Sequence, residues 1–163
     1  MKFSLIDKII SVEPGKSIIA TKSLTMAEEY LKDHFPKFPV MPGVLMIEAM
    51  TQASAWLLRI SDQFKYSIVI LKEARNVKFG KFLQPGQTLQ VSAVITKESE
   101  HEVVLKTEGT IDGQTRIRAI LTISRYNLAE KNTDKCVVDN IVVNKLKNEL
   151  AIIWDGNFLP KEE

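Results

Sequence analysis

Residues 43–60 of this chain read GVLMIEAMTQASAWLLRI, a run with no proline and no glycine after its first position. Its length suits a helix better than a strand. Between Pro42 and Leu58 the only ionisable side chain is Glu48, and apolar residues occupy almost the whole helical circumference. Such a helix belongs in an interior, not on a surface. It can be enclosed when a sheet curls around it and a further layer covers the side the sheet leaves open. The architecture this requires is an antiparallel sheet wrapped on one central helix, with a second copy of the chain as the simplest cover.

The flanking sequence supplies the strands. Residues 3–12 and 17–25 read as two strands separated by the turn pair Pro14-Gly15, and residues 26–33 (MAEEYLKD) suit a short helix. Pro36, Pro39 and Pro42 make 34–42 an irregular, stiff loop, because proline fixes its own φ and lacks an amide hydrogen. Pro42 is also well placed to open the helix that follows. Beyond the helix, 67–71 is a compact apolar run, and 89–95 and 117–123 alternate with a period of two, the mark of strands with one buried face. Asp112-Gly113 predicts a two-residue hairpin between the last two strands, and Pro85-Gly86 a turn. About four strands are expected here. The fold class is therefore α+β, with one domain over 1–126. From Asn127 the chain turns polar, then offers VVDNIVV, Trp154 and Phe158. Residues 127–163 read as a linker and an appended structured segment of unassigned role.

Composition removes several function classes. With 45% apolar and 26% charged residues and a net charge of +2, the chain can build a core and lacks the strongly basic balance of a nucleic-acid binder. Lys2, Asp7 and Lys8 interrupt any signal-peptide core, and no segment approaches the ~18 uncharged apolar residues of a membrane span. A cytoplasmic protein is expected. Cys136 is the single cysteine, so neither an internal disulfide nor a multi-cysteine metal site is available. Phosphate-binding and dinucleotide-binding glycine patterns, metal-spaced clusters and nucleophile elbows are absent, so no cofactor is implied.

Four features can carry chemistry. An isolated carboxylate on an apolar helix, as Glu48 is, tends to stay protonated and can donate a proton; it can equally be a hydrogen-bonded structural group. His34, one of two histidines, sits at the start of the proline loop, where it could serve as a general base or simply cap local structure. The Gly43 amide is an orphan donor of the helix's first turn, a place for an oxygen gaining negative charge, although glycine there also merely tolerates a tight turn. Lys72, Arg75, Lys78 and Lys81 form a basic cluster opposed only by Glu73: solvated surface, or a surface for an acidic protein partner.

The segment 34–52, HFPKFPVMPGVLMIEAMTQ, resembles the signature of the 3-hydroxyacyl-[acyl-carrier-protein] dehydratases: a histidine, three prolines, Met-Pro-Gly, and an acid fourteen residues beyond the histidine. The similarity extends over about residues 3–125, including Phe79, Pro85-Gly86 and Ile111-Asp112-Gly113. Lys37 and Gln87 stand where the family usually has glycine and aspartate. The resemblance implies a hotdog fold, a homodimer that can assemble as a trimer of dimers, and His34 and Glu48 as a catalytic pair drawn from different subunits. It also implies that the Gly43 amide binds the thioester carbonyl and that the Val40 carbonyl orients the His34 ring. The substrate would be carried by acyl carrier protein or coenzyme A. Glu48 and Val44 are similar to the branch that dehydrates without moving the double bond. Two other readings on the same fold are a non-catalytic acyl-binding or assembly protein and an acyl thioesterase.

Overall fold

The computed structural model describes residues 3–32, 34–35 and 37–156 of the chain. Strands β1 (Lys8–Glu13) and β2 (Ser17–Ser23) precede helix α1 (Gly43–Ser61). Strands β3 (Ile68–Phe79), β4 (Thr88–Glu98), β5 (Glu102–Ile111) and β6 (Gln114–Tyr126) come next, followed by helix α2 (Cys136–Ile153). The strands form one sheet, in the order β1-β2-β4-β5-β6-β3, with every pairing antiparallel. The predicted arrangement of one long helix against an antiparallel sheet is what forms.

The local chemistry of the turns sets the register. At the β5–β6 hairpin Asp112 and Gly113 both have positive φ, 50° and 74°, as the two-residue turn that matches strand twist requires. At both Pro-Gly sites the residue after the glycine bonds back across the turn, Lys16 to Glu13 at 3.0 Å and Gln87 to Gln84 at 3.1 Å. The alternating residues then point one apolar row inward: Leu89, Val91 and Ala93 on β4, Val103 and Leu105 on β5, Ile117, Ala119, Leu121 and Ile123 on β6, all buried. Against them α1 packs Ala49, Met50, Ala53, Leu57 and Leu58. Full burial of each large side chain in this layer is worth roughly 1.5–3 kcal/mol.

Three expectations are corrected. Residues 26–33 form no α-helix among the described residues, only a single 3-10 turn at Glu29–Leu31 with no side-chain cap; a segment so short does not repay helix nucleation. Asp33 lies outside the described residues. The first strand starts at Lys8 instead of residue 3, because the backbone of Phe3 and Leu5 bonds to a side chain of α1 instead. The run at 67–71 opens a strand more than twice as long. Its register shifts twice against β6, with Asn76 at φ 52°, so the inward positions Leu71, Ala74 and Val77 fall three apart and hide the period of two.

The cover over α1 also differs from expectation. From Ala53 to Leu58 every residue of α1 is buried within the single chain. Helix α2 lies on that end of the molecule, with Leu146, Leu150, Ile153 and Trp154 against the core. The first turns of α1 remain open: Val44 is 69% exposed, and Ile47 and Glu48 are half-buried. An anchor holds α2 in place. Asp139, buried on its first turn, accepts the Ser67 hydroxyl and the amides of Leu128 and Ala129, the latter two at 3.0 and 2.9 Å. Burial alone would raise the Asp139 pKa; these bonds hold it below the ordinary aspartate value. The sequence expectation for Phe158 falls outside the described residues.

Candidate active site

The loop before α1 is short and tied at both ends. Phe38 closes a turn onto the Phe35 carbonyl at 2.7 Å, and Met41 donates to the Leu83 carbonyl at 2.9 Å. Pro36 lies outside the described residues. Val40 and Met41 are buried, which fixes the loop on the β3–β4 connection. Phe35 takes a positive φ of 50° and its ring lies 4.4 Å, centroid to centroid, from the half-buried His34 imidazole. Among the described residues no hydrogen bond joins His34 to Val40 or to Glu48.

Pro42 occupies the N-cap position of α1, and its carbonyl accepts from Leu45 and Met46 at 2.9 and 3.3 Å. The Gly43 amide precedes the first residue that can bond within the helix, and no acceptor is paired with it among the described residues. It therefore stands at the positive end of the helix dipole with its donor capacity unused. A side chain at this position is impossible without movement. A Cβ on Gly43 would lie 2.8 Å from the Phe79 ring, which is 55% exposed and packs directly over the glycine.

Glu48 stands on the open half of α1, half-buried instead of enclosed by apolar surface as the helix pattern alone predicts. Its carboxylate is held from within the helix, Gln52 Nε2 donating to Glu48 Oε1 at 2.9 Å. Gln52 is itself fixed: its Oε1 accepts the Leu5 amide at 2.8 Å and its Nε2 donates to the Phe3 carbonyl at 3.2 Å. Sequence reasoning missed this residue. The available signal was the spacing of four from Glu48, which puts the two side chains on one face of a helix.

The basic cluster is divided by the fold. Lys72 forms an ion pair with Glu102, and Arg75 with Glu73 at 3.3 Å, both on exposed β3. Lys78 has no ion-pair partner among the described residues. Lys81 leaves the strand and joins Arg116 of β6 beside the loop. Lys81, Phe82 and Arg116 line two adjoining hollows, one of about 120 Å³ that reaches Met41 and Gly43, the other of about 500 Å³ that reaches Phe38 and Gln84. Phe38 and Phe82 meet edge to face across this mouth at 5.8 Å. Arg116, distant in sequence and in a strand that reads as ordinary sheet, carried no signal by which it could have been picked out.

The start of α1 thus brings an unpaired amide beside a cationic, aromatic mouth, while the positioned Glu48 carboxylate and His34 line neither hollow. A family model described as a FabA-like domain matches residues 1–120. A relative named 3-hydroxyacyl-[acyl-carrier-protein] dehydratase FabZ, from Latilactobacillus sakei, is 37% identical over 118 residues, 72% of this chain and 84% of its own. Proteins of the same name from Rickettsia bellii and Clostridium botulinum are 40% identical over 113 residues (69% and 78% covered) and 39% over 119 (73% and 83%). Among solved structures, the dehydratase heterocomplex ApeI:P from Xenorhabdus doucetiae superposes with a TM-score of 0.66 at 18% identity, covering 78% of this chain and 86% of that one. The smu.793 protein of Streptococcus mutans bound to acetyl CoA gives 0.59 at 18%, covering 77% and 91%. At such identities the superpositions establish the shared hotdog fold.

Proposed function

The chain belongs to the FabA-like family, that of the 3-hydroxyacyl-[acyl-carrier-protein] dehydratases, and we propose that it is a hydro-lyase that removes water from a 3-hydroxyacyl thioester to give the trans-2-enoyl thioester. The observation that carries this reading is the Glu48 carboxylate held by Gln52 on the open half of α1, five residues from an unpaired Gly43 amide. A binding module has no need for a positioned acid there.

Dehydration needs a weakly acidic proton lost from C2 and a hydroxyl lost from C3. His34, in its neutral form, takes the C2 proton. Glu48, in its acid form, gives its proton to the C3 hydroxyl, which leaves as water. The Gly43 amide bonds to the thioester oxygen as it gains enolate character. Each acid or base role is worth roughly 10²–10⁴ in rate.

Two chains share the work in this reading. His34 and Glu48 of one chain are not bonded to each other, the first turns of α1 are uncovered, and β3 ends the sheet with an unpaired edge. A two-fold partner would answer all three. The acyl group arrives on an acidic carrier protein that meets Lys81 and Arg116 at the mouth. Residues 1–126 form the domain that does the chemistry, and 127–163 are an extension to it.

Hydration of a 2-enoyl thioester, followed by its ultraviolet absorbance, tests the reading directly. The wild type should turn over, and His34→Ala and Glu48→Gln should each lose about 10²–10⁴ of the rate without loss of fold. A Glu48→Gln protein retaining near-full activity would end the acid assignment.

A further inference from the structure

Gln52 borders a second cavity, one the chemistry above leaves unused. About 240 Å³ of space lies between Gln52, Trp56 and Arg59 of α1 and Leu146 and Glu149 of α2, closed at one side by Phe3. Glu48, Gln52 and Trp56 are spaced by four and share one helix face. The cavity begins at Gln52, whose side-chain amide holds Glu48, and extends toward the C-terminal end of α1. Its outer wall belongs to α2, which lies wholly beyond residue 120, where the family match ends.

If Glu48 acts at C3, the acyl carbons beyond C3 leave from Glu48. The space that adjoins them on this chain begins at Gln52. Trp56 and Leu146 offer it apolar walls. Arg59 and Glu149, each three residues farther along its helix, line the same space. Hydrocarbon gains by burial against apolar surface, whereas pressing it on these charged groups takes water from them and returns no hydrogen bond. Arg59 has little freedom to withdraw, because its side chain lies over the Trp56 ring, 5.2 Å from the centroid, and its Nε is buried without a partner.

We propose that helix α2 terminates the acyl cavity, with Leu146 and Glu149 facing Arg59 as the stop that restricts this enzyme to short acyl chains. The inference rests on the dehydration reading and adds a specificity element outside the shared domain. Leu146 and Glu149 act on the far end of the substrate and take no part in proton transfer.

The test is a chain-length profile of enoyl thioester hydration by the full-length protein, from four to ten carbons. The wild type should favour four carbons over ten by about 100-fold in kcat/KM. Leu146→Ala and Glu149→Ala should each raise the ten-to-four ratio about tenfold, and Leu146→Phe should lower it. Opposite movements of a ratio cannot come from partial unfolding, and thermal melts check that each variant is folded. A wild-type profile that is flat or rises with length, or a ratio that none of the three variants moves, would overturn the proposal while leaving the dehydratase reading intact. Absence of turnover at every length would remove both.

Discussion

Gln52 donates to the Glu48 carboxylate at 2.9 Å and with the same amide group clasps the backbone of Phe3 and Leu5. One side chain thereby couples the acid to the N-terminal segment. Removing it frees the carboxylate to rotate, and misplacement of a reacting group by about 1 Å can cost on the order of 100-fold. Gln52→Leu should therefore lower kcat by roughly 10- to 100-fold with a smaller change in KM. The loss of kcat should persist at temperatures where thermal melts show the variant fully folded, which simple destabilisation would not cause. Hydrogen exchange at the Leu5 amide should rise in the same variant. A wild-type kcat in Gln52→Leu would show that Glu48 does not depend on it.

The division of the basic cluster gives a graded expectation for an acidic carrier. Lys72 and Arg75 already face Glu102 and Glu73, while Lys81 and Arg116 stand at the mouth beside Phe82. Exposed charges steer over a screening length of about 8 Å at physiological ionic strength. Lys81→Glu with Arg116→Glu should slow reaction of carrier-bound substrate about tenfold, more at low salt, and leave a short carrier-free thioester much less affected. Lys72→Glu should do little. Equal losses on both substrates would remove the steering role.

Much of this was legible in the sequence. The central helix, the proline loop and the hairpin at Asp112-Gly113 announce themselves because each rests on local chemistry: periodicity, a fixed φ, a turn that needs positive φ. His34, Gly43 and Glu48 stood out as a histidine at a proline loop, a glycine at a helix start and a lone acid on an apolar helix, and the family resemblance joined them into one expected site. What was hidden depends on contacts between distant segments. Arg116 comes to Lys81 only through β3–β6 pairing, in which Phe79 stands opposite Ile117. Gln52 looks like any polar helix residue until Phe3 and Leu5 fold onto it. Helix α2 lies on the C-terminal half of α1, and no rule of periodicity reports where an appended helix will dock.

Asp139 makes the docking of α2 sensitive to acid. Its pKa lies below the ordinary value of 3.8, burial opposing and the bonds from Ser67, Ala129 and Leu128 prevailing. A depressed carboxylate pKa stabilises the fold above the unfolded value, and this contribution is lost as pH falls through the folded one. Signals from α2 should hold at neutral pH and weaken as the pH falls below the ordinary aspartate value of 3.8. Asp139→Asn should lower the melting temperature at neutral pH and flatten the difference between pH 7 and the acid range. Tryptophan fluorescence can follow it, since Trp154 ends the helix. A melting temperature for Asp139→Asn equal to the wild type at pH 7 would show that the anchor contributes nothing.

The shared site can be decided by mixing two inactive proteins. In one chain His34 and Glu48 are not bonded to each other, and Glu48 lies on the part of α1 that nothing from its own chain covers fully. A two-fold dimer presents each residue twice. Suppose His34 of one protomer works with Glu48 of the other. A mixed dimer of His34→Ala and Glu48→Gln then holds one site with both residues and one with neither. If each pair instead worked within a chain, both sites of that dimer would be damaged. Co-refolding equal amounts of the two variants should restore about a quarter of wild-type activity, since random pairing makes half the dimers mixed and each mixed dimer has one intact site of two. Each variant refolded alone should stay inactive. Differently tagged chains, purified through both tags in sequence, would isolate the mixed dimer and raise the expected recovery to about half. An isolated mixed dimer with no activity would place the pair within one chain and require the loop carrying His34 to close onto Glu48 of its own helix.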